Sequence, residues 1–184
     1  DAALRSQTGC GATAMAQIMK YYEWPQDSVA DISGYVTETA KIAVPAFPAT
    51  VFRWDEMKDN YEAGENADAV AELMRYCGQV LMSNYSSGVT TSYINYVFDA
   101  FQKTFGYSQN MELKSMYEHT LSEWEYTIYN ELKEGRPVFH RGASMSEGGH
   151  YFVCDGYDGN GMFHINWGWG GNCDGYLKLA LLNP

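Results

Sequence analysis

In the segment Ala12–Tyr22 the apolar residues Ala12, Met15, Ala16, Met19 and Tyr22 recur at helical spacing, among residues that favour helix. Thr8 and Gly9 mark the start of this helix and Pro25 its end. Its many small residues suit a closely packed, central position. Residues 26–60 read as loops with short extended pieces, punctuated by Pro45 and Pro48. A second helix is expected from about Ala67 to Cys77, stopped by Gly78. A third is expected from about Thr91 to Phe105, capped by Thr91 or Ser92 and stopped by Gly106. A fourth runs from about Ser122 to Lys133. It opens on the capping-box pattern Ser122-Glu123-Trp124-Glu125 and ends at Gly135-Arg136-Pro137.

After Pro137 the period changes. Pro137–Ala143, His150–Tyr157, Gly161–Trp167 and Gly175–Leu181 are short aromatic or β-branched runs separated by Gly, Asp and Asn. They predict antiparallel strands joined by tight turns. Helices before strands, without alternation, predict an α+β fold. No repeat or linker divides the chain, so residues 1–184 are expected to form one domain, with a helical half to about 135 and a β half from about 136.

Composition narrows the function classes. The 184 residues are 46% hydrophobic and 15% aromatic, which is too apolar for a disordered chain and enough for a real core. The formal net charge of -11 argues against nucleic acid and against an anionic lipid surface as partners. No apolar run approaches the ~18 residues of a membrane-spanning helix. The sequence opens on Asp1 without a charged-then-apolar leader, so any targeting peptide is expected to lie outside it or to have been removed. The four cysteines lack CxxC spacing and the four histidines lack metal-ligand spacing, so no metal or other cofactor is expected.

Among the cysteines, Cys10 stands at the expected start of the first helix, between Gly9 and Gly11. The positive end of a helix favours a thiolate, and flanking glycines let a substrate approach the backbone. The alternative is an inert cysteine on an apolar helix. Cys77 and Cys154 lie in apolar runs and read as packed; Cys173 lies in a Gly/Asn/Asp loop and reads as exposed. Among the histidines, His150 follows Gly148-Gly149 at a loop-to-strand junction, a good place for a base facing a cleft. His164 reads as a strand side chain satisfied by a neighbour, His119 as a surface residue, and His140 as either. Asn166 follows on the next strand, where its amide carbonyl can orient the imidazole; the alternative is a turn residue. Trp167 can shield that hydrogen bond from water.

Three segments resemble one family, the streptopain family of bacterial papain-like cysteine peptidases. Thr8–Tyr21 resembles its catalytic-cysteine helix, Gly148–Tyr157 its catalytic-histidine strand, and His164–Gly171 with Asp174-Gly175-Tyr176 and Leu179–Pro184 its Asn-Trp segment. Weaker matches at Trp54–Met57, Phe105–Tyr107 and Arg136–Val138 extend the resemblance over nearly the whole chain. It implies a papain-like fold, with a helical and an antiparallel β-sheet subdomain meeting at an active-site cleft. It implies Cys10 as nucleophile, His150 as acid/base, Asn166 as orienting amide and Trp167 beside it. It also implies that Gly148 and Gly149 line the substrate cleft and that the loop carrying Gly88 and Thr91 forms part of its wall. The implied function is a secreted or cell-envelope-exposed endopeptidase working through a Cys10 thioester. The partners implied are protein or peptide substrates, an N-terminal pro-domain acting as an intramolecular inhibitor, and a proteinaceous inhibitor.

There are departures from the pattern. Gly11 stands where the family usually has Val, and Phe139-His140-Arg141-Gly142 replaces an aromatic, neutral-polar pattern. Gln7, the candidate second donor beside the Cys10 N–H, stands three positions before Cys10, closer than papain-like spacing for the oxyanion Gln. Family domains extend further at both ends, including a Gly-rich C-terminal loop, so the chain is expected to be part of such a domain. Two rival functions stand beside the endopeptidase: a papain-fold amidase or acyltransferase, and a degenerate relative that binds without catalysis.

Overall fold

The computed structural model describes residues 5–144 and 148–181. The end of the Asn-Trp resemblance, residues 182–184, lies outside them. Two compact units are present, Asp1–Met111 and Glu112–Pro184.

In the first unit, helix α1 (Cys10–Tyr22) packs on α2 (Asp68–Val80). Ala12, Ala14 and Ala16 on α1 are buried, and such small side chains let the two backbones approach. Met15 and Met19 of α1, with Leu73, Tyr76 and Cys77 of α2, are fully buried. The Cys77 thiol lies 3.6 Å from the Met19 sulfur. Phe47, Phe52 and Phe105 surround the Tyr76 ring at centroid distances of 5.6, 5.3 and 5.8 Å. The loops between the helices carry only a two-residue pairing, β1 (Tyr35–Val36) with β2 (Ala43–Val44), and isolated bridges at Val29–Thr50 and Ile32–Phe47.

Two helix boundaries differ from expectation. Gly78 does not stop α2, which continues to Val80. The Tyr85 hydroxyl occupies the space a Cβ on Gly78 would need, so this glycine serves packing. Met82, at φ 49, comes just after the helix instead. Helix α3 begins at Ile94, because Thr91 bridges to Asn84 and the Ser92 hydroxyl lies 2.9 Å from that of Ser83. Its last turn, Ala100–Thr104, widens to a π-helix closed by the Phe105 N–H on the Ala100 carbonyl.

The second unit is a four-stranded antiparallel meander, β3 (Val138–Ser144), β4 (Gly148–Tyr157), β5 (Phe163–Asn166) and β6 (Gly175–Leu177), in chain order. Helix α4 (Leu121–Lys133) packs on β3 and β4. Its capping box is built by Thr120, not Ser122. The Thr120 hydroxyl accepts the Glu123 N–H, and the Glu123 carboxylate accepts the Thr120 N–H. Trp124 and Ile128 of α4 share one core with Phe152, Cys154, Phe163, Ile165 and Leu179. That shared core places α4 with the sheet, so the division falls after Met111 and not near residue 135. The last strand ends at Leu177. Leu179–Leu181 turns into a 3-10 helix, which buries Leu179 in the core.

Candidate functional site

The local structure around Cys10 follows from two glycines and a threonine. Gly9 caps α1 at φ 92, and a Cβ there would stand 2.8 Å from Thr90 Cγ2. Gly9 therefore meets a backbone and a steric requirement that other residues do not. Its carbonyl accepts both the N–H and the hydroxyl of Thr13, each at 3.1 Å. Cys10 is thus the first residue of α1, half-buried, with no acidic side chain in the first turn to offset the positive helix end. Gly11 is buried beneath Leu81 and Ser92, where a Cβ would meet Leu81 Cδ1 at 3.3 Å.

The other thiols are differently placed. Cys77 is fully buried, and desolvation pushes its pKa up. Burial likewise pushes Cys154 up to about 12. Cys173 is exposed, on a turn at φ 65.

Residues 86–91 of the first unit form one hydrogen-bonded loop. The Ser86 hydroxyl donates to the Val89 carbonyl at 2.6 Å and accepts the Val89 N–H at 3.0 Å. Thr90 donates to the Gln7 carbonyl at 2.7 Å, and the Gln7 N–H reaches the Ser86 carbonyl at 3.3 Å. Gly88 is exposed with open space around it, and the Thr91 carbonyl accepts the Asn84 N–H at 2.9 Å. Gln7 also lines a pocket of about 520 Å³ with Met74, Arg75 and Gln79. Thr90 ties this loop to the segment entering Cys10, a role that no sequence pattern announces.

In the second unit, β4 carries Gly148 at φ 81, Gly149 and the half-buried His150. The Arg141 guanidinium lies 3.1 Å from where a Cβ on Gly149 would stand. His150 Nε2 is 2.9 Å from the Trp167 carbonyl oxygen. A carbonyl only accepts, so Nε2 carries a proton. The rings of Trp167 and Trp169 lie 6.0 and 4.9 Å from the imidazole, and 5.6 Å from each other in a stack.

The register explains which group meets the imidazole. A β-bulge at Asp155 shifts the pairing, so Asn166 lies opposite Val153, and the chain beyond it turns towards His150. The Asn166 side-chain oxygen accepts the Gly168 N–H at 3.0 Å. One peptide group therefore links the two residues. Its N–H, from Gly168, is held by Asn166, and its carbonyl, from Trp167, holds His150. The far end of the turn closes on its start. The Trp167 N–H donates to Asp174 Oδ1 at 2.8 Å, and the Trp167 indole to the Cys173 carbonyl at 3.1 Å. Neither Asp174 nor Cys173 stood out as a candidate in the sequence.

The remaining histidines are accounted for. His164 Nδ1 lies 2.5 Å from the Asp155 carboxylate, the neighbour expected for it. His140 is buried against Phe152, and desolvation lowers its pKa to about 4. His119 is half-buried and not on the open surface. Its Nδ1 is 3.0 Å from the Ser115 carbonyl and its ring packs near Trp124. No His/Cys/Asp/Glu cluster suited to a metal occurs among the described residues. No helix among them is long and apolar enough to cross a membrane.

A helical unit and an antiparallel sheet unit define an α+β protein. The chain matches the model of the Peptidase C10 family over residues 2–177 and belongs to that family. It is 36% identical over 98% of its length to the thiol protease/hemagglutinin PrtT of Porphyromonas gingivalis, of which it covers 21%. It is 33% identical over 96% of its length to streptopain of Streptococcus pyogenes, of which it covers 46%. The chain thus spans about a fifth and about half of these two relatives. Among solved structures, a prointerpain A fragment of Prevotella intermedia superposes with a TM-score of 0.85 at 31% identity, covering 98% of this chain and 59% of that one. Active interpain A cysteine protease superposes at 0.83 and 30% identity, covering 95% and 76%. The fold is papain-like.

Proposed function

We propose that the chain is a cysteine endopeptidase acting on protein or peptide substrates. Cys10 and His150 work as one pair, within a single papain-like catalytic domain made of both units. The observation that carries this reading is the placement of Cys10. It is a half-buried thiol on the first turn of a helix, whereas Cys77 and Cys154 are held protonated by burial. The relatives' names, thiol protease and cysteine protease, support it.

The Cys10 thiolate attacks the scissile carbonyl carbon and forms the acyl-enzyme. His150, whose Nε2–H is turned to the Trp167 carbonyl, holds the thiol proton on Nδ1 and delivers it to the leaving amine. It then takes a proton from the water that hydrolyses the thioester. The Cys10 N–H donates to the developing oxyanion; one such donor is worth about 10²–10³ in rate. Asn166 orients His150 through the Trp167–Gly168 peptide, and Trp167 covers that bond. Gly148, Gly149, Gly88 and Thr91 are the residues assigned to substrate binding in this reading. An N-terminal pro-domain as inhibitor accords with the solved prointerpain fragment, and secretion or exposure on the cell envelope with the bacterial relatives. A proteinaceous inhibitor would bind the same cleft.

Casein cleavage tests the reading. It is expected in the wild-type protein, absent in Cys10→Ala, and blocked by a peptidyl epoxide that adds to Cys10. Cleavage that survives Cys10→Ala would overturn the nucleophile, and a wild-type protein that cleaves no peptide would overturn the endopeptidase.

A further inference from the structure

We infer that Asp174 is a positioning residue for His150. The imidazole is held by a main-chain carbonyl, so whatever fixes that main chain fixes the base. The Trp167 carbonyl accepts from His150 Nε2 at 2.9 Å, while the N–H of the same residue donates to Asp174 Oδ1 at 2.8 Å. Asp174 is half-buried, where a charge-assisted bond is stronger than one in open water.

The turn needs such an anchor. Between Trp167 and Asp174 it contains Gly168, Gly170, Gly171 and Cys173, all at positive φ. Glycines give a chain many alternative paths. The β5–β6 pairing brings Gly175 opposite Ile165, so Asp174 stands at the mouth of this hairpin, across from the start of the turn. Its carboxylate bridges that mouth. Released from it, the Trp167–Gly168 peptide keeps only the Asn166 bond to its N–H, and its carbonyl selects Nε2–H over Nδ1–H less firmly. A base protonated on Nδ1 has no lone pair there for the thiol proton. Asp174 touches neither substrate nor reacting atom, and its effect travels through Trp167.

The inference rests on His150 being the base. It is tested by ¹⁵N–¹H long-range correlation spectra of ¹⁵N-histidine-labelled protein, which report the tautomer independently of turnover. His150→Gln assigns the signal. At a pH high enough for His150 to have given up the thiol proton, wild type is expected as the single Nε2–H form. Asp174→Ala is expected to show a mixture of tautomers and a kcat lower by roughly 10–100-fold at little-changed KM, the usual effect of removing an outer orienting group. Asp174→Asn, whose amide oxygen can still accept the Trp167 N–H, is expected to restore the single form. Should the alanine variant not fold, Asp174→Ser carries the same expectation, since its hydroxyl is one atom too short to reach. A pure Nε2–H form persisting in Asp174→Ala or Asp174→Ser would overturn the inference. The expected tautomers in a protein that cleaves nothing would overturn the peptidase reading alone.

Discussion

The segment entering Cys10 and the turn holding His150 are built by different physics. Around Cys10 the geometry is steric. Gly9 at φ 92 lies against Thr90, Gly11 lies against Leu81, and small alanines seat the helix on α2. Around His150 the geometry is polar. Four hydrogen bonds, from His150, Gly168 and the backbone and indole of Trp167, fix a glycine-rich turn whose Trp167 ring packs on Phe152. The first side should fail when volume is added and the second when an acceptor is removed.

The largest effect is expected at Cys10. Cys10→Ala should reduce casein cleavage by about 10⁴-fold or more. Its midpoint of thermal unfolding should stay near wild type, because the change removes only one atom. A large fall in that midpoint would mean that the thiol also serves packing.

The next effect belongs to the sheet unit and depends on pH. His140 titrates at about 4 when folded, against 6.5 for the free side chain. Below pH 6.5 the unfolded chain gains a proton that the folded chain refuses. Stability should therefore be full above 6.5, decline as the pH falls to about 4, and level off below. The loss from this one group is roughly 3 kcal/mol. Urea titrations of wild type and His140→Phe measure it as a difference in slope with pH. Equal slopes would remove the burial account of His140.

On the steric side, Gly9→Ala should cost about 1–3 kcal/mol through positive φ and the contact with Thr90 Cγ2. Adding Thr90→Ser, which deletes Cγ2 and keeps the hydroxyl that reaches Gln7, should recover part of that loss. No recovery in urea unfolding would leave the backbone conformation as the whole effect. The smallest change is expected at Thr120→Ala, about 1 kcal/mol through the lost cap of α4, with cleavage kinetics unaltered.

The same contrast explains what was legible in the sequence. Helix α1, the strands after Pro137 and the junction at Gly148-Gly149-His150 are written in apolar spacing and glycine placement, which are local signals. The fourth helix was equally visible as a helix. Its partner was not, because attachment to the sheet depends on Trp124 and Ile128 meeting Phe152, a long-range contact. Gly78 read as a stop signal because the Tyr85 hydroxyl that fills its space comes from elsewhere in the chain. The turn around His150 was the least legible part. Which group faces the imidazole depends on the bulge at Asp155, which periodicity does not show. Asp174 lies in an ordinary loop composition, and its role appears only once the β5–β6 pairing folds it back on Trp167.

In the proposed function the thiol on the first turn of α1 is an activated nucleophile served by His150. The direct measurement is the pH profile of Cys10 alkylation by iodoacetamide, followed by peptide mass spectrometry in wild type and His150→Ala, with N-acetylcysteine as the free-thiol reference. Wild-type Cys10 is expected to react well below the free-thiol pKa of ~8.5 and ahead of Cys173, and His150→Ala to return it towards the reference. A Cys10 profile that follows N-acetylcysteine in both proteins would contradict the claim.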